Sequence, residues 1–97
     1  RCPNKPAVGV EWANCQLVGA DLRKAKLSGA FIHDVDLSHA DLRGADLSDA
    51  QLINVTADGA DLTSANLRDA LVNGGTIHEA KYCKTTMPDG ATSDSGC

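Results

Sequence analysis

Four cysteines are the most reactive residues of the chain, and they lie near its two ends as Cys2, Cys15, Cys83 and Cys97. Structural zinc sites usually draw on closely spaced cysteine or histidine pairs, and these spacings of 13 and 14 residues contain none. An even number, with one pair at each end of a small domain, favours two disulfides in an exported protein over four free thiols in the cytosol. We therefore expect no metal site and no cofactor at these positions.

A second group with chemical potential is Asp36, Ser38 and His39, which are the residue types of a hydrolytic triad. Closeness in sequence does not by itself arrange a nucleophile, a base and an orienting acid. His39 and the other two histidines, His33 and His78, are all expected to point outward. We predict no catalytic residues and no enzyme activity.

Composition limits what the chain can be. Its 97 residues allow one small domain, and aromatic residues make up only 3% of them, so a core must be built from Leu, Ala, Val and Ile. The formal net charge of −4 argues against direct nucleic-acid binding through phosphate contacts. No apolar run approaches 18 residues, so no membrane insertion is expected, and no signal-peptide pattern is present.

A five-residue period organises the chain from Val10 to Asp89 as sixteen repeats without a slip. The first position of each repeat is small or β-branched, and the second, fourth and fifth are mostly polar or Gly. The third position is apolar throughout: Trp12, Leu17, Leu22, Leu27, Ile32, Leu37, Leu42, Leu47, Leu52, Ala57, Leu62, Leu67, Val72, Ile77, Tyr82 and Met87.

This period fits neither an α-helix nor a continuous strand. On a helix, five residues advance about 500°, so the third positions would spiral around the axis without forming a stripe. On a strand, the first and third positions share a face, but the step of three residues to the next repeat breaks the alternation. The chain must therefore turn once in every repeat. Gly, Asn, Asp and Ser at many fifth positions suit such corners.

With these features the sequence resembles the pentapeptide-repeat family, whose consensus is close to A-[DN]-L-x-x, over about 80 of its 97 residues. The resemblance implies an all-β fold, a right-handed quadrilateral β-helix with four repeats in each coil. Four coils would then span residues 10–29, 30–49, 50–69 and 70–89, stacked about 4.8 Å apart. Residues 1–9 and 90–97 would cap the two ends. Trp12 would plug the first coil, and Tyr82 and Met87 the last.

The end sequences are similar to those of exported bacterial and thylakoid-lumen members of the family. Those members often carry a cysteine before and after a Gly-Val-x-Trp segment, and they close with Thr-x-Met-Pro-Asp-Gly and a final cysteine. This similarity implies export to a periplasm, a thylakoid lumen or the extracellular space. The matching residues here are Cys2, Gly9, Val10, Trp12, Cys15, Thr86, Met87, Pro88, Asp89, Gly90 and Cys97.

The implied coils also restrict the disulfide pairing. Cys15 would lie in the first coil and Cys83 in the fourth, about 14 Å apart on strand spacing. A disulfide needs Cα atoms within about 7 Å, so this pair is excluded, and Cys2–Cys97 with it. Pairing Cys2 with Cys83 and Cys15 with Cys97 would draw both tails along the solenoid and leave its edges bare. We predict Cys2–Cys15 and Cys83–Cys97.

Two surface features stand out in this arrangement. Asp21, Asp41 and Asp61 form a column on a face that also carries Arg23, Lys24, Arg43, Lys81 and Lys84, and we interpret it as a self-compensating ladder and not as an anion-binding groove. Phe31, Ile53 and Leu71 point outward on another face. They form an interaction patch, or a terminal segment folds over them, or they are isolated apolar residues that the surface tolerates.

From these features we predict a non-enzymatic structural or protein-interaction solenoid that is exported and binds a protein partner or itself. A hydrolase would need a pocket, and a filled solenoid is expected to offer none. The alternative is a cytoplasmic, DNA-mimicking modulator of DNA gyrase, as some members of the family are. Four coils with one basic face fit that alternative poorly.

Overall fold

The structure, a computed structural model, describes residues 2–97, so the predicted amino-terminal cap is seen from Cys2 onward. Four strands form one parallel sheet in the order β1-β2-β3-β4: β1 Glu11–Gln16, β2 Phe31–Asp36, β3 Gln51–Ile53 and β4 Leu71–Asn73. Glu11 pairs with Phe31, Phe31 with Gln51, and Gln51 with Leu71. Each step along the stack is therefore 20 residues, which confirms the predicted coil length.

The other sides of the coil are joined by shorter parallel contacts with the same 20-residue offset. Asp21 pairs with Asp41, Asp41 with Asp61, and Asp61 with Lys81. A second row joins Lys26 to Asp46, Asn66 and Thr86 in turn. Backbone amides follow the same rule, as when the Leu42 N–H donates to the Asp61 carbonyl at 2.9 Å. The chain is thus a β-helix with coils in register.

The core follows the repeat. Third-position side chains of the second and third coils are all buried, and Leu42 and Leu62 expose 1% and 0% of their surface. First-position alanines such as Ala40 and Ala60 fill the space between them and are also buried. A larger side chain at these positions would overpack the narrow interior. The whole molecule measures 32 × 24 × 22 Å.

Corners form where the sequence predicts them. In fourteen of the sixteen repeats the fifth residue has a positive φ, which turns the chain toward the next side of the coil. Nine of these fourteen are not glycine, and they are Asn14, Lys24, Asp34, His39, Asp49, Asn54, Ser64, Asp69 and Lys84. Asn and Asp tolerate this conformation better than most residues.

The fourth coil departs from the predicted regular repeat at residues 75–79. Gly75 has φ +76°, and a Cβ on it would lie 2.6 Å from the Val55 nitrogen and closer still to the Val55 carbonyl oxygen. A short 3₁₀ helix, Ile77–Glu79, follows. The Thr76 hydroxyl accepts the Ala57 N–H at 3.0 Å, whereas the equivalent N–H of Leu17 donates to a backbone carbonyl, that of Asp36. The side of the coil at 75–79 is therefore irregular.

Terminal segments cover each end only in part. At the start, the Trp12 Nε1–H donates to the Asn4 carbonyl at 2.9 Å, and Trp12 is buried as predicted. At the other end, β5 (Thr85–Thr86) pairs antiparallel with β6 (Thr92–Ser93) beside the buried Tyr82. Leu17 in the first coil and Met87 in the last remain only half-buried.

Within residues 2–97, no helix has both the length and the apolar character needed to cross a bilayer.

Candidate functional site

The candidate site is the outer face formed by the first three residues of each of the strands β1–β4, referred to below as the sheet face. Its eight outward residues, at the second and fourth positions of their repeats, form two columns. One permanent charge, Glu11, stands among them, compared with six on the face that begins at Asp21. The two columns are Glu11, Phe31, Gln51 and Leu71, then Ala13, His33, Ile53 and Asn73.

The three residues predicted as an apolar patch lie on this face but do not form one continuous surface. Phe31 and Leu71 are 42% and 53% exposed, and Gln51 separates them in the same column. Ile53 lies in the neighbouring column and is half-buried. The substantial exposure of Phe31 and Leu71 means that residues 2–9 and 90–97 do not fold over them.

His33 also lies on the sheet face, and its contacts there could not be predicted from the repeat pattern. Its ring stands at 66° to that of Phe31, with the ring centroids 5.8 Å apart. Its Nε2 atom is buried and has no hydrogen-bond partner among the described residues. His33 lies in an outward column, as the sequence predicts, and it is half-buried there beside the aromatic ring. Phe31 and His33 together form the centre of the face.

On the face that begins at Asp21, charges neutralise one another locally. Arg23 donates to Asp21 at 2.8 Å, and Arg43 donates to Asp41 at 2.6 Å. The side-chain hydrogen bond from Arg23 lowers the pKa of Asp21 to about 2, and the bond from Arg43 lowers the pKa of Asp41. These two arginines are engaged with carboxylates two residues away, which supports the interpretation of this column as a self-compensating ladder.

On other sides of the coil, serine hydroxyls donate hydrogen bonds to the aspartate carboxylates. Ser48 donates to Asp46, and its side-chain hydrogen bond lowers the pKa of the Asp46 carboxyl. Ser38 donates to Asp36 at 2.6 Å and lowers the pKa of Asp36 in the same way. Among the hydrogen bonds of residues 2–97, none joins Ser38 to His39. Ser38 therefore stabilises a corner and is not aligned with a base.

The cysteines lie in two pairs at disulfide distance. Cys2 and Cys15 have Cα atoms 5.0 Å apart, and Cys83 and Cys97 have Cα atoms 4.8 Å apart. Asp94 lies beside Cys83 and Cys97, but sulfur atoms bonded to each other are not available as thiolate ligands for a metal. Paired cysteines at both ends suit an oxidising compartment.

Comparison with known proteins agrees with this architecture. A family model described as a pentapeptide repeat region matches residues 8–82. Among solved structures, the crystal structure of HetL, a pentapeptide repeat protein involved in heterocyst differentiation regulation from the cyanobacterium Nostoc sp. strain PCC 7120, is 24% identical with a TM-score of 0.58. The match covers 86% of this chain and 51% of HetL, so the chain spans about half the length of that protein. A search among curated proteins found no match.

These matches establish the handedness of the coils, because the fold they share is a right-handed β-helix. HetL is less than a quarter identical, so the likeness concerns the fold alone.

Proposed function

The chain belongs to the pentapeptide-repeat family, and we propose that it is a non-enzymatic solenoid that binds another protein through its sheet face. A rigid stack of coils that holds side chains in fixed columns fits a structural or interaction role. The observation that carries the choice of surface is the sheet face itself, where Phe31 and Leu71 are exposed and Glu11 is the single permanent charge.

Depletion of charge together with exposed aromatic and aliphatic groups is typical of the centre of protein interfaces. Phe31 is the single phenylalanine of the chain, and it stands at the middle of the sheet face beside His33. A partner that covers Phe31 and Leu71 would remove apolar surface from water, which contributes about 25 cal/mol for each Å² buried. We therefore expect Phe31 to be the main contact residue.

The size of the sheet face favours a foreign partner over a stable homodimer. Four strands about 4.8 Å apart, each about three residues wide, cover on the order of 200 Å². A standard interface buries about 800 Å² on each side. Self-association through this face alone would be weak, whereas a different protein can extend beyond the face onto the neighbouring sides of the coil.

We also propose that the protein works outside the cytosol, since both cysteine pairs lie at disulfide distance. Protein isolated without a reductant is expected to contain no free thiols. Peptide mapping before reduction should recover Cys2 linked to Cys15 and Cys83 linked to Cys97. Four free thiols, or a peptide that links Cys2 to Cys83, would argue against both the pairing and the compartment.

A gyrase-directed DNA mimic receives less support from the structure. Such a protein needs a continuous acidic surface in place of the phosphates of DNA. Here Asp21 and Asp41 are paired with Arg23 and Arg43, so the acidic surface is interrupted on this face.

The binding surface can be tested by photo-cross-linking in an extract of the native compartment. A benzophenone side chain at Phe31 is expected to form a covalent adduct with another protein, and one at the exposed Asp58, on a different side of the coil, is not. Replacing Leu71 with Ser should reduce the adduct from position 31 severalfold without changing the circular dichroism spectrum.

Equal cross-linking from both positions would contradict the proposal. A dimer of this chain as the only adduct would also contradict it, since that would identify the face as a site of self-association.

A further inference from the structure

The carboxyl-terminal end of the solenoid is open on one side. Val72, Ile77 and Met87 are interior residues of the fourth coil but are only half-buried, whereas their neighbours in the third coil, Leu52, Ala57 and Leu67, are fully buried. Residues 90–97 pair only with the segment around β5, so they leave this part of the core uncovered. The expectation that a filled solenoid has no pocket is therefore wrong at this end.

The opening forms a cavity of about 410 Å³. Leu67 lies behind the half-buried residues of the fourth coil, and Tyr82 closes one side. The Tyr82 hydroxyl donates to the Ile77 carbonyl, so its polar atom is already satisfied. Most of the wall is therefore apolar and makes no competing hydrogen bond.

The polar groups that line the cavity are few and carry no permanent charge. They come from His78 in the 3₁₀ helix and from Ser93 and Ser95 in the carboxyl-terminal segment. None of the described residues around the cavity is Asp, Glu, Lys or Arg, although 22 of the 97 residues of the chain are of these types. A charged ligand would lose hydration here without gaining an ionic partner, so the cavity disfavours charge.

We infer that this cavity binds a small, uncharged and largely apolar molecule with one or two hydrogen-bonding groups. Its volume lies within the range of about 300–1,000 Å³ that is usual for small-molecule sites. A cavity of this size is about 9 Å across and presents on the order of 250 Å² of wall, far below the roughly 800 Å² that a stable protein contact buries on each side. The cavity can therefore enclose most of a small molecule, whereas it would supply only a minor part of an interface with a second copy of the chain.

Indole is a suitable probe, because it is neutral, apolar and carries one N–H. The chain contains one methionine, Met87, in the cavity and one tryptophan, Trp12, at the opposite end. In isotopically labelled protein, titration with unlabelled indole is expected to shift the Met87 methyl signal until it saturates. The Trp12 indole N–H signal should stay in place and report that the fold is intact.

A matched pair of substitutions tests the location. Val72→Ser removes a wall residue and should weaken indole binding at least about fourfold, the loss that corresponds to one buried methylene group. Val18→Ser makes the same change at the opposite end of the solenoid, where Val18 is 53% exposed, and should leave the affinity unchanged. Ser95→Phe, at an exposed position, should fill the cavity and abolish the shift even if Val72→Ser unfolds the chain.

Three results would overturn the inference. The first is a Met87 shift that grows linearly up to the solubility limit of indole. The second is equal affinity in the folded Val72→Ser and Val18→Ser proteins. The third is a Met87 shift produced by raising the protein concentration alone, which would show that a second copy occupies the site.

Discussion

Replacing Leu42 with Ala is expected to lower the free energy of unfolding by about 2–5 kcal/mol. Leu42 lies in the second coil, with coils above and below it, and is 1% exposed, so little backbone movement can fill the space that the substitution leaves. The measurement is chemical denaturation under conditions that keep both disulfides intact. Leu62, in the third coil and fully buried, should behave in the same way.

Leu71→Ala is the matched control for this prediction. Leu71 is a leucine of the same solenoid but is 53% exposed on the sheet face, so its loss should change the free energy of unfolding by no more than about 0.5 kcal/mol. A loss below half a kcal/mol for Leu42→Ala would contradict the assignment of the third position to the interior.

Gly75→Ala is the second substitution with a large expected effect, about 2–6 kcal/mol of lost stability. A non-glycine residue held at positive φ costs about 1–3 kcal/mol. The added methyl group would also press against the Val55 backbone, and overpacking of this kind typically costs a further 1–3 kcal/mol. The measurement compares the denaturation midpoint of the Gly75→Ala protein with that of the unsubstituted protein.

Gly19→Ala separates the two contributions. Gly19 has φ +68°, close to that of Gly75, but a Cβ on it meets nothing within 4 Å. Gly19→Ala should therefore cost only the penalty for a non-glycine residue at positive φ, about 1–3 kcal/mol. If both substitutions cost the same, the close approach of Gly75 to Val55 would not be a determinant of the fourth coil.

Much of the fold could be predicted because one short pattern specifies it many times over. The small residue at the first position and the large apolar residue at the third determine which side chains are buried, as at Ala60 and Leu62. A single exception, such as Ala57 at a third position, does not change the fold, because its neighbours in the stack keep the pattern. The 20-residue register between Phe31 and Gln51 follows from the same repetition.

The irregular side of the fourth coil could not be predicted, because residues 75–79 still read as small-x-large. Gly75 occupies the first position and Ile77 the third, so the pattern shows no break. The difference arises from a tertiary contact, in which Thr76 uses its hydroxyl to satisfy the Ala57 N–H. The two consecutive glycines before it, Gly74 and Gly75, were the local signal that the backbone leaves the usual path.

Of the candidate site, the sequence placed Phe31, Ile53 and Leu71 on one face but did not show the burial of His33. That burial depends on where the Phe31 ring turns, which a one-dimensional pattern does not contain. The open cavity at Met87 was missed for a similar reason, since it depends on how far residues 90–97 reach across the last coil.

The constant offset of 20 residues has a consequence for changes in chain length. Removing residues 30–49 would bring the first coil onto the third with the backbone hydrogen bonds at the new junction preserved, because equivalent positions of these coils carry equivalent groups. Removing five residues between Phe31 and Leu71 would instead rotate the downstream chain by a quarter turn and place these two residues on different sides. Insertions and deletions in this chain should therefore be tolerated in steps of one whole coil, with the solenoid growing or shrinking while the order of its faces is preserved.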